Sequence, residues 1–228
     1  MPKTYIISGI LFFSAVFSYS QSIIQPNYGL KSHETLEINK IELTSETTVF
    51  HLSVENRIRN GNFCADKNIF IIYPDGTRVK MISSNGIPVC PQIHRFKEPG
   101  EKLTFALTFP ALKQDTYWID LVEECSENCF SFYGITLDHD LNTRLEKVFA
   151  LASSRTPGEN ISQFKAILDS IDSRDLGIEG LLYINIINAA IENNDKVNSI
   201  VWYKRLSTSN APRFGSYLKY LNDKGIKY

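Results

Sequence analysis

The chain has 228 residues, 21% of them charged and 43% hydrophobic, with a formal net charge of −1. That length holds one large domain or two small ones, and the composition excludes both a disordered tail and a multi-span membrane protein. The near balance of 24 basic and 25 acidic residues gives no electrostatic reason to expect a nucleic-acid partner.

The first segment reads as an address. Lys3 precedes a mostly apolar run from Tyr5 to Phe17, which suits the apolar region of a signal peptide and is short for a membrane span. Ser18-Tyr19-Ser20 supplies small residues before a cut at Gln21. Residues 1–20 are therefore expected to be a signal peptide and the protein to be exported, to the periplasm or the extracellular space. After that cut it is not expected to be an integral membrane protein; an uncleaved anchor helix is the competing reading. The cut removes Lys3 alone among the charged residues and takes the formal charge to −2.

Export bears on Cys64, Cys90, Cys125 and Cys129, because thiols pair in oxidising compartments. Four cysteines allow three connectivities. Spacing favours Cys64–Cys90 with Cys125–Cys129, since each pair brackets its own turn region. The alternative is a structural zinc site, because Cys90 and His94, and Cys125 and Cys129, stand four apart. Neither spacing is the more diagnostic C-x-x-C.

Residues 21–35 read as an N-terminal linker and residues 36–137 as strands. Phe50, Leu52, Val54 and Ile58 alternate with polar residues, with a polar gap at Asn56. Ile69 to Tyr73 is a continuous apolar run, as in a strand covered on both faces. Pro74-Asp75-Gly76-Thr77 is a tight turn that makes residues 69–82 a hairpin. Leu103, Phe105, Leu107 and Phe109 alternate cleanly, and Tyr117–Val122 and Phe130–Leu137 add two strands. Seven or eight strands in this length predict an antiparallel β-sandwich of immunoglobulin-like type, with a barrel or jelly roll as the alternative.

From residue 138 to 228 the period changes to that of helices, so the fold class is α+β in two domains, the second a small helical bundle. Leu141, Leu145, Val148 and Phe149 mark a first helix, with Asp140 as its expected N-cap. Pro157 opens a second helix running through Phe164 to Ile171. Leu181–Ile191 is a third, ending at Glu192-Asn193-Asn194-Asp195. Val197, Ile200, Val201, Tyr203 and Leu206 give the apolar face of a fourth. Pro212 opens a fifth with Tyr217, Leu218 and Leu221, expected to be half exposed, and Gly225 is its stop.

Two resemblances add to this reading. Leu182–Ala190, the Asn193–Asp195 turn and Ile200–Leu206 resemble one tetratricopeptide-like hairpin, without a repeat at 34 residues. The stretches Asn62–Asn68, Gly86–Pro91, Phe109–Leu112 and Asp120–Phe130 resemble blocks of uncharacterised exported proteins of Bacteroidota, as does the Ser20-Gln21 junction. That resemblance implies an exported β-sandwich and carries no transferable activity.

No catalytic pattern stands out. The chain has no G-x-S-x-G elbow, no phosphate loop, no G-x-G-x-x-G and no H-E-x-x-H; after His33-Glu34, Glu37 stands where the second histidine belongs. Asp138-His139-Asp140 reads as a helix junction rather than a cation site. Glu123, Glu124, Glu127 and Asn128 crowd one loop but lack calcium-loop spacing. Phe130, Phe132, Tyr133, Tyr117 and Trp118 read mainly as core. The expected function is thus an exported binding or assembly protein of the cell envelope, with no catalytic, metal or cofactor residue assigned. Its partner is another envelope protein or a glycan. The alternative is an envelope hydrolase.

Overall fold

A computed structural model describes residues 20–170 and 175–228. The expected signal peptide up to Tyr19, and Ile171, lie outside the described residues. Among the described residues twelve strands are followed by five α-helices, an α+β arrangement. They are β1 (Ser20–Ile24), β2 (Leu30–Lys31), β3 (Leu36–Thr44), β4 (Thr47–Glu55), β5 (Asn62–Phe63), β6 (Ile69–Ile72), β7 (Arg78–Lys80), β8 (Ser83–Asn85), β9 (His94–Arg95), β10 (Lys102–Pro110), β11 (Trp118–Glu123) and β12 (Ser131–Thr136). The first sheet runs β1-β3-β4-β10-β8 and the second β2-β12-β11-β6-β7, both antiparallel throughout, while β5 and β9 form a separate pair.

The two large sheets share one core. Phe50, Leu52 and Val54 from β4, and Phe105, Leu107 and Phe109 from β10, meet Ile69, Ile71, Ile119, Leu121 and Phe132 from the second sheet. Period two puts these residues on one face of each strand, and each buried side chain of this size contributes roughly 1.5–3 kcal/mol. Ile38 and Ile41 both point inward although three apart, because the β3–β4 register shifts between Ile38 and Lys40. The outer face of the first sheet carries polar side chains such as Glu42, His51 and Ser53.

The second sheet is covered on both sides. Its outer face meets the helical region, which comprises α1 (His139–Ala150), α2 (Pro157–Asp169), α3 (Glu179–Glu192), α4 (Lys196–Ser207) and α5 (Phe214–Asp223). The join is visible at β11, where five of six residues are buried. Ile119 and Leu121 enter the sandwich core; Trp118 packs against Gly177, and Asp120 binds Arg213. A register shift opposite Asp120 frees the N–H of Gly134, which donates to Asp120 Oδ1 at 2.8 Å. Arg213 donates from Nε to the other carboxylate oxygen at 3.0 Å and lies over the Tyr133 ring at 5.0 Å. Gly134, at φ +64°, approaches Gly177 so closely that a Cβ there would stand 1.9 Å from the Gly177 carbonyl oxygen. Asn142 of α1 closes the join further, accepting from Asn27 N at 2.8 Å and donating to Thr136 O at 2.9 Å.

Several sequence expectations change here. Residues 21–35 are not a bare linker: they supply β1 and β2, one edge strand to each sheet. Ile58 does not continue β4, which ends at Glu55. Asn56 turns the chain by donating to Ile58 O at 2.9 Å and Glu98 O at 2.8 Å, and Ile58 is left 67% exposed. Ile69–Tyr73 is buried on one face only, and Phe70 on the other is covered by the Arg78 guanidinium at 4.1 Å. The strands buried on both faces are β11 and β12. The N-cap of α1 is Asp138, accepting from Leu141 N at 3.0 Å; Asp140 sits two residues on, within the first turn. On α4 the buried residues are Ser199, Trp202, Tyr203 and Leu206, while Val197 and Val201 face solvent. Tyr217 is fully buried, its ring seated against Gly180 and its hydroxyl against Gly29, positions where any side chain would collide with it.

Candidate functional site

Antiparallel strands place loops at the two ends of the sandwich, and each end holds a concave surface. One end collects the loops around residues 56–68, 86–101 and 124–130. The disulfides Cys64–Cys90 and Cys125–Cys129 both lie there, and no described cysteine is free. With all four sulfurs paired, the zinc alternative has no thiolate to use.

Between the two cystines runs a groove of about 660 Å3, which continues into a lobe of about 350 Å3. His33, Ile58, Asn62 and Phe63 line both. Phe63 is half buried, with Phe105 at 6.0 Å, Phe130 at 6.5 Å and His33 edge-on at 5.5 Å. Burial, with Lys31 as a second influence, holds the His33 imidazole below its ordinary pKa, and its Nδ1 has no hydrogen-bond partner. The lining is thus an aromatic floor, an exposed aliphatic side chain and a few polar groups.

Glu123 braces this end. Its Oε1 accepts from Asp66 N at 2.7 Å and its Oε2 from Phe130 N at 3.0 Å, which ties the loop after Cys64 to the loop closed by Cys125–Cys129. Burial raises its carboxyl pKa above the ordinary value, against the lowering effect of these two bonds. Both oxygens are engaged with backbone, so the side chain acts as a pin.

The crowded acidic loop separates by role. Glu123 points inward, Glu124 pairs with Arg78, and Glu127 and Asn128 are exposed at the groove rim. Among the described residues no group of three or more His, Cys, Asp and Glu side chains is placed to hold a metal ion. Asp138 caps α1, His139 and Asp140 are exposed, and Arg144 donates to Ser170 rather than meeting Asp140. Phe130, Phe132 and Trp118 are core, Tyr133 lies under Arg213, and Tyr117 is 41% exposed. Tyr220 and Lys219 are exposed, unlike Tyr217.

The opposite end holds a cleft of about 440 Å3 between the β6–β7 turn, the β10–β11 loop and the entry to α3. Tyr73, Lys113, Tyr117 and Asp175 are among its walls.

Sequence reading missed the groove lining. Ile58 looked like strand and His33 like a failed metal motif. The available signal was an isolated isoleucine within the polar run from Arg57 to Asn62, since an apolar residue in a polar loop marks a contact surface. Comparison with protein-family models, with curated proteins and with solved structures returns no match. No helix among the described residues is long and apolar enough to cross a membrane.

Proposed function

We propose that the protein is an exported, non-catalytic binding or assembly protein of the cell envelope, and that the groove at the cystine end receives a segment of another envelope protein. The observation that carries this reading is convergence: two disulfides and the Glu123 pin all brace loops that line one groove. Loops fixed before binding lose less conformational freedom on binding, so affinity rises without further contacts. Half-buried Phe63 and exposed Ile58 provide the apolar anchors such a site needs at its centre. Disulfides persist in oxidising compartments, in agreement with a leader cut before Gln21.

The test is capture from the native envelope with the purified chain and its Ile58→Glu variant as baits. The wild type is expected to retain a discrete protein that the variant loses, while both melt at the same temperature. Intact mass is expected to start at Gln21 and to show no alkylatable thiol before reduction. Four free thiols, a stoichiometric metal, or equal capture by both baits would overturn the reading.

A further inference from the structure

The groove at the cystine end joins two lobes that differ in charge. In the smaller lobe the charges are matched. Arg57 donates to Glu34 Oε1 at 2.8 Å, and Glu55 pairs with Lys102 at 3.3 Å. Buried Val54 and Phe96 stand there beside Phe63 and Ile58. In the larger lobe the charges are not matched. Asp66, Glu123 and Glu127 line it, and no lysine or arginine does. His33 adds no positive charge at neutral pH, because burial, then Lys31, hold its pKa below the ordinary value. Lys31 is itself paired with Glu37, and Arg78 with Glu124. Lys67 and Arg59 are exposed and lie outside the lining.

The three carboxylates are engaged to different degrees. Glu123 has both oxygens on backbone N–H groups. Asp66 accepts from Asn68 N at 2.8 Å through Oδ1 alone. The Glu127 side chain is exposed and takes part in no hydrogen bond or ion pair among the described residues. Repulsion from Asp66 adds to the burial that raises the Glu123 carboxyl. Asp75 at the opposite end shows the satisfied alternative, where hydrogen bonds from Thr77, then from Lys113, pull its carboxyl down to about 2. Negative charge beside a half-buried aromatic ring attracts a cation twice over, by ion pairing and through the ring face. An acidic segment would meet like charge there and is rejected.

We propose that the groove takes an extended basic segment, with its lysine or arginine in the larger lobe among Asp66, Glu123 and Glu127, and a nearby apolar side chain in the smaller lobe against Phe63 and Ile58. This rests on the reading of the groove as a protein-binding site and adds the chemistry of the partner.

A library of random octapeptides displayed on phage, panned on the purified disulfide-bonded chain, tests both levels, with Kd values of the enriched peptides read by fluorescence anisotropy. Enriched peptides are expected to carry a lysine or arginine close to an aliphatic or aromatic residue. Exchanging that cation for glutamine is expected to weaken binding about tenfold. Glu127→Lys, an exposed change that leaves the fold intact, is expected to weaken it by about tenfold or more. Asp66→Asn, which keeps Oδ1 for Asn68 N, is expected to weaken it about threefold. Ile58→Ser removes an apolar wall without adding charge and is expected to weaken it about fivefold. Neutral or acidic peptides that still depend on Ile58 would overturn the basic partner and leave the groove standing. So would basic peptides indifferent to Glu127→Lys and Asp66→Asn. Peptides unmoved by Ile58→Ser, or no enrichment at all, would sink the groove reading and this proposal with it.

Discussion

In the β region four cysteines close loops whose ends are 26 and 4 residues apart in sequence, and both closures fall at one end of the sandwich. The helical region has no cysteine. Its attachment rests on fit: Gly134 against Gly177, the Tyr217 ring against Gly180, and the Asp120–Arg213 pair across the join. The difference shows where each device is useful. A disulfide restrains loops that have little core of their own, while close backbone approach and a charge pair buried on its Asp120 side set how two packed layers meet. The loops at the cystine end are held beyond what the sandwich core requires, which is why that end is read as the binding end.

The largest expected effect lies at the join. Gly134→Ala sets a Cβ against the Gly177 carbonyl at a positive φ, and is expected to cost roughly 4 kcal/mol in urea denaturation. Gly158→Ala in α2, where a Cβ meets open space, is the control and should be neutral or slightly stabilising. Equal effects would show that fit does not govern the join.

Removing the longer disulfide by Cys64→Ser with Cys90→Ser comes next, at about 3 kcal/mol from loop closure. Hydrogen exchange is expected to lose protection in the groove loops while α3 and α4 keep theirs. Uniform loss across both regions would break the contrast.

The smallest effect concerns the exposed Asp75 turn. Because its folded carboxyl titrates at about 2, below the ordinary aspartate value, the turn adds stability above that ordinary value and loses it as pH falls through about 2. Asp75→Asn should therefore lower the melting temperature at pH 7 and converge with wild type near pH 2. A difference independent of pH would mean that the charge is not what holds the turn.

Much of the β region was legible. The alternation of Leu103, Phe105, Leu107 and Phe109 marks β10, and the Pro74–Thr77 turn marks the β6–β7 hairpin. Pro157 opens α2, where Thr156 and Glu159 form a capping box. The short strands β1, β2, β5, β8 and β9 were not legible, since two to five residues carry too little period to register and their pairing partners are distant in sequence. The sites were harder still. Ile58 and Phe63 become neighbours of the Cys125 loop only through folding.

Local pattern by itself determined the class of the fold, the change from strands to helices near residue 138 and the clustering of cysteines in one region, because period, turn chemistry and spacing act between near neighbours. Tertiary structure alone decided that the second sheet is covered twice, that Tyr217 is buried and Ile58 exposed, and that both cystines open onto one groove. Those outcomes depend on which surfaces meet at long range. A residue's own sequence neighbourhood carries no information about what will be laid against it.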